Sequence, residues 1–168
     1  MGAHKRPSKR SRAGSVSVSV SALTLAAVGA TVLAPVSYVY KRQTVNDAEA
    51  ATVSIQALSI AASKAGSPYQ WGATGPYRFD CSGLTQYSFK RAGKQLPRTA
   101  QQQYNRTRQI PVFSREQGDL VFFHGRGGVY HVGIYAGNNR IWHAPKTGSV
   151  VRLERIWTRS VSYGRVND

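Results

Sequence analysis

At 168 residues, with 41% hydrophobic and 18% charged side chains, the chain suits one packed domain plus a short extension, and excludes a disordered polymer. Its 23 Lys and Arg against 7 acids give a formal charge of +16, which favours nucleic acid, anionic membrane or anionic cell wall without choosing among them. The single cysteine, Cys81, excludes an internal disulfide framework and leaves a thiol that is buried and inert, paired between chains, or reactive.

The chain opens on Lys5, Arg6, Lys9, Arg10 and Arg12, followed by an uncharged stretch from Val16 to Ala34. Basic then apolar is the layout of a secretory signal, and the length of the stretch also admits an uncleaved membrane anchor. Residues 1–50 are therefore expected to be a leader or anchor with a short linker, and residues 51–168 the working domain. The excess charge is shared, +5 in the first part and +11 in the second.

Residues 48–65 carry Val53, Ile55, Leu58, Ile60 and Ala61 ahead of Gly66, which predicts an amphipathic helix with a glycine stop. A turn-rich loop, Ser67 to Pro76, leads to a second expected helix over 81–92 that Gly93 ends. Thr99 is placed to cap a short helix through Tyr104. Beyond it the period changes: strands are expected over 119–123, 130–136, 141–144, 150–153 and 163–166, with a tight turn at Gly137–Arg140. Helices first and antiparallel strands second make the expected class α+β.

Cys81 falls at the start of the second helix, where unpaired N–H groups and the helix dipole are expected to lower the thiol pKa and to hold an oxyanion. His131 and His143 are the candidate partners. Alternation puts His131, Gly133 and Tyr135 on one strand face, with Gly133 expected to leave room for a packed helix end. The hairpin turn brings His143 towards His131, where it would orient the base ring. An inert packed cysteine and a zinc site are the competing readings, and one Cys with scattered His lacks ligand-pair spacing. His4 and His124 receive no role.

Six blocks in order carry a resemblance: Ser67-Pro68-Tyr69-Gln70-Trp71-Gly72, Phe79-Asp80-Cys81-Ser82-Gly83-Leu84, Leu96-Pro97-Arg98-Thr99, Gly118-Asp119-Leu120-Val121-Phe122-Phe123, His131-Val132-Gly133-Ile134-Tyr135 and His143-Ala144-Pro145. Together they resemble the catalytic domain of the NlpC-type bacterial cell-wall cysteine peptidases over residues 50–166. The resemblance implies a papain-like α+β fold with the nucleophile helix packed on an antiparallel sheet. It implies hydrolysis of amide bonds in peptidoglycan stem peptides, commonly between D-glutamate and a diamino acid, without metal or organic cofactor. Cys81 would be the nucleophile, His131 the base and later acid, and His143 the third member. Tyr69 would lie near the oxyanion, with Asp80, Ser82 and Arg98 towards the substrate; core and surface structural roles compete for Tyr69 and Arg98. The implied location is the cell wall or medium, with membrane contact only through the N-terminal segment. Anionic wall polymers are expected partners by charge and nucleic acid is not. A thiol acyltransferase on the same fold and a non-catalytic wall-binding module are the alternatives.

Overall fold

A computed structural model describes residues 36–167, with side chains from residue 47 onward. The expected leader's basic and apolar segments lie outside the described residues. Among the described residues no helix is long and apolar enough to cross a membrane.

Helix α1 spans Val36–Ala62, so it starts well before residue 48 and runs unbroken through residue 50. Its buried row is Ser54, Ala57 and Ala61, one turn apart, as an amphipathic helix requires. The row is small because the helix rests on backbone: a Cβ at Gly118 would come within 2.4 Å of the Ser54 carbonyl oxygen. Helix α2, Cys81–Arg91, buries Leu84 and Phe89 and is capped by Asp80, whose carboxylate accepts from the Gly83 N–H at 2.6 Å. Helix α3, Ala100–Arg106, begins with the expected Thr99 cap, completed by Gln102 into a capping box. Gln103 ties α3 to α2. Its fully buried amide donates to the Ser82 and Pro97 carbonyls and accepts from the Thr85 hydroxyl.

The strands are β1 (Arg108–Ile110), β2 (Leu120–Gly125), β3 (Gly128–Gly137), β4 (Arg140–His143), β5 (Arg152–Arg155) and β6 (Val161–Arg165). They form one antiparallel sheet in the order β1-β6-β2-β3-β4-β5. The turn between β3 and β4 is the expected one, with positive φ at Asn138 (50°) and Asn139 (57°), the conformation a two-residue hairpin demands. Two expected strands are displaced. Val150 and Val151 lie outside β5 because Val151 exchanges hydrogen bonds with Gly66 and Ser67 behind α1 instead of joining the sheet. The last strand likewise begins two residues earlier than expected, at Val161, where it pairs with Phe123. Strand β1 and the 3-10 turn Val112–Ser114 were not expected from the sequence at all.

The sheet has two apolar faces. Leu120, Phe122, Val132 and Ile134 meet Leu84 and Phe89 of α2 and the buried row of α1. Val121, Phe123, Tyr135, Ile141 and Tyr163 form the opposite layer, which explains why β2 is apolar without alternation. One buried ion pair ties the start of β2 to the end of β6: Arg165 donates to both oxygens of Asp119 at 2.8 and 2.9 Å.

Candidate active site

The loop between α1 and α2 is fastened onto the start of α2, and this fixes Cys81. Asp80 donates its N–H to the Ala73 carbonyl at 2.9 Å, and its carboxylate accepts from the Gly72 N–H at 2.9 Å. Gly83 must be glycine, because a Cβ there would lie 2.1 Å from the Ala73 carbonyl oxygen. Arg98 reaches in from before α3, donating to both Asp80 oxygens and, at 3.0 Å, to the Ser82 hydroxyl. Arg98 is thus no free surface cation: it secures the cap of the helix that carries the thiol. Asp80 itself is 6% exposed, with both oxygens engaged.

The expectation of a lowered thiol pKa is corrected. Burial pushes the Cys81 thiol up, and the neighbouring Asp80 carboxylate pushes the same way. The backbone N–H groups of Val132 and Ser82 and the Ser82 hydroxyl pull down without reversing it. The physical reason is first burial, which disfavours the thiolate, and then the cap, which places a carboxylate at the helix N-terminus beside the thiol.

His131 and His143 come together as the hairpin suggested. His131 Nε2 and His143 Nδ1 are 2.9 Å apart, and His143 Nε2 lies 3.0 Å from a Glu154 oxygen. That carboxylate also accepts from Arg152 Nε at 2.8 Å. Gly133 makes room, but for a strand neighbour and not for a helix end. A Cβ at residue 133 would meet Ile141 Cδ1 at 2.8 Å and His143 Cβ at 3.2 Å. Trp157 stacks on Phe123 at 4.2 Å and lies 5.7 and 5.4 Å from the two imidazole rings, sealing them on that side. Burial, then the neighbouring His143, pushes the His131 pKa down to about 3; burial also lowers that of His143. At neutral pH the site holds a thiol and two uncharged imidazoles.

Cys81 lies where two lobes of one cleft meet. A lobe of about 430 Å³ is lined by Tyr69, Cys81, His131, His143, Glu154 and Trp157. A second, of about 510 Å³, runs past Asp80, Ser82, Arg98 and Gln101. Trp71 and Tyr130, 84% and 58% exposed, border both lobes. Tyr69 stays protonated, its hydroxyl pushed up by burial and then by Cys81 and Asp80, so it can donate into the cleft. Among the described residues no three His, Cys, Asp or Glu side chains are grouped to hold a metal ion.

Glu154, Trp157, Trp71 and Tyr130 were not singled out from the sequence. Strand alternation holds the signal for Glu154: Arg152 faces His143, so Glu154 shares its face. Placing the strand over 150–153 hid it.

Comparison with known proteins gives one answer. The family model described as the NlpC/P60 family matches residues 66–165. The "Bifunctional muramidase/DL-endopeptidase CwlT" of Bacillus subtilis is 49% identical over 111 residues, 60% of this chain and 33% of that protein. The "Probable endopeptidase p60" of Listeria monocytogenes is 44% identical over 106 residues, 60% of this chain and 22% of that protein. This chain therefore spans a third or less of these two relatives' length. Among solved structures, the peptidoglycan hydrolase RipB of Mycobacterium tuberculosis superposes with a TM-score of 0.64 at 29% identity, covering 72% of this chain and 68% of that one.

Proposed function

The chain belongs to the NlpC/P60 family and has its papain-like α+β fold, and from that premise we propose that it is a cysteine endopeptidase of peptidoglycan stem peptides. The observation that carries the reading is Cys81 at the start of α2, in one cleft with a buried, hydrogen-bonded histidine pair. Several relatives are named as endopeptidases, and CwlT as a DL-endopeptidase. The bond we propose is the one between D-glutamate and the diamino acid.

The chemistry follows from the protonation states. Because thiol and imidazole rest uncharged, His131 acts as a general base: it takes the thiol proton as Sγ adds to the carbonyl carbon. The oxyanion that forms is held by N–H groups at the start of α2 and by the Tyr69 hydroxyl. His131, now a cation, gives its proton to the departing amine, and a thioester remains on Cys81. A water deprotonated by His131 then releases the acid and restores the thiol. Asp80, Ser82 and Arg98 edge the second lobe, where the peptide on the acyl side would lie.

We further propose export to the cell wall, with residues 1–50 as leader or anchor, and retention there by the domain's positive charge. The deciding experiment incubates the full chain and Cys81→Ala with purified peptidoglycan and sequences the released fragments by mass spectrometry. New stem-peptide ends from the wild type alone are expected. Transfer of the acyl group to an added amine in place of water would favour the acyltransferase. Binding without release would favour the wall-binding module.

A further inference from the structure

The cleft is lined by charged side chains that this mechanism does not use, Lys146, Arg152 and Glu154, and of these Glu154 meets the histidine pair. Glu154 is half-buried on β5, and one of its oxygens accepts from Arg152 and lies 3.0 Å from His143 Nε2. A carboxylate can only accept there, so His143 Nε2 carries the proton. Burial keeps His143 uncharged, which leaves its Nδ1 as a lone pair. His131 Nε2, 2.9 Å away, must then be the donor. In an uncharged imidazole that leaves one bare nitrogen, His131 Nδ1.

We infer that Glu154 is a positioning residue for the proposed Cys81–His131 pair: through His143 it fixes both ring tautomers so that the His131 nitrogen kept free of protons is Nδ1. Arg152 supports it by holding the carboxylate ionised, through two contacts at 2.7 and 2.8 Å. The inference rests on the cysteine-peptidase reading for its purpose, but its geometry stands on the three side chains alone. With the carboxylate removed, nothing prevents His143 from carrying its proton on Nδ1. His131 Nε2 would then become an acceptor, its proton would move to Nδ1, and the base would be blocked. The charge matters as well as the contact, because an imidazolium at His131 is stabilised along the chain of bonds by the negative end.

The groups that face this histidine pair and set its pH response come from every side. They are Cys81 from α2, Tyr69 and Lys146 from the flanking loops, Tyr130 on β3, and Arg152 and Glu154 on β5.

The test uses the full chain with ¹⁵N-labelled histidine, as wild type, Glu154→Ala and Glu154→Gln. Long-range ¹H–¹⁵N spectra read which ring nitrogen holds the proton. Both His131 and His143 should be Nε2-protonated in the wild type, and in Glu154→Gln, whose amide oxygen still accepts. In Glu154→Ala both should become mixtures with an Nδ1-protonated form. Alkylation of Cys81 by iodoacetamide at neutral pH should slow in Glu154→Ala by about 10- to 100-fold, the weight of one charge-assisted hydrogen bond. On peptidoglycan fragments the loss should fall on kcat with KM within about twofold, and Glu154→Gln should recover part of it. Unchanged tautomers and an unchanged alkylation profile in Glu154→Ala would overturn the inference. A wild type that cleaves no fragment, yet shows these tautomers and this alkylation response, would sink the peptidase reading and leave Glu154's role intact.

Discussion

His131 ties the proposed chemistry to stability. Its pKa is about 3 in the fold against 6.5 when exposed, so between those values the unfolded chain binds a proton that the native one refuses. The native state is therefore fully favoured above pH 6.5 and loses stability as pH falls towards 3. The span corresponds to at most about 5 kcal/mol for this one side chain. Glu154, whose pKa is lowered by Arg152 and His143 against the opposing effect of burial, adds to the same trend, since its stabilisation also fades in acid. Urea unfolding of Cys81→Ala across this pH range should show a falling free energy, and adding His131→Gln should flatten the slope. Parallel slopes for the two proteins would remove His131 as the cause. Trp157 belongs to the same argument, because its indole keeps water from both imidazoles. Trp157→Ala should move the His131 titration, followed by NMR, upward towards 6.5, and an unmoved titration would show that the desolvation arises elsewhere.

Among the elements, α2 depends most on one residue without a side chain. Gly83 lets the Ala73 carbonyl approach the helix, and that contact holds the Asp80 cap and so the Cys81 position. Gly83→Ala should cost about 1–3 kcal/mol in urea unfolding, as overpacking of a tight contact does, and should depress fragment release further than the lost stability explains. Stability and activity both at wild-type level would show that the loop is free to give way. The same contrast between local and distant causes decides what the sequence disclosed. Helix α2 was legible from its Gly93 stop and α3 from its Thr99 cap, signals that act within a few residues, while the Asp80 cap and the Gln102 half of the capping box came only with the fold. The β3–β4 turn was legible because Asn138-Asn139 is a local conformational preference, and it brought His131 and His143 together in the right sense. By contrast Arg108-Gln109-Ile110 becomes a strand only because β6 offers it an edge, and Val150-Val151 is denied one by the loop behind α1. Glu154 followed that error out of sight. The thiol was misjudged for a similar reason: a helix dipole can be read from sequence, but the cap's own charge and the burial above it need the fold.

At the scale of the molecule, charge is arranged by two rules. From residue 51 to 167 each carboxylate is held by an arginine: Asp80 by Arg98, Glu154 by Arg152, and Glu116 and Asp119 by Arg165. The Asp119–Arg165 pair is the buried one and closes the sheet between β2 and β6. Asp119→Ala should therefore destabilise by about 1–3 kcal/mol in urea unfolding, since it removes two charge-assisted bonds from a partly buried guanidinium that keeps Glu116, and an unchanged stability would show that Glu116 and water replace Asp119 fully. Other arginines among the described residues lie on the surface. Arg108, Arg126, Arg140, Arg155 and Arg159 are exposed, and Arg140 stands directly across from Arg155 on β4 and β5. Like charges facing each other on a sheet cost stability, and an anionic surface laid over them removes that cost. Purified walls that keep their anionic polymers should then retain Cys81→Ala at low salt and release it as ionic strength rises past about 0.15 M, where screening acts within about 8 Å. Replacing Arg140 and Arg155 together by Gln should shift that release to lower salt. Retention that ignores both salt and the double substitution would mean that the cleft, and not the charge, holds the protein to the wall.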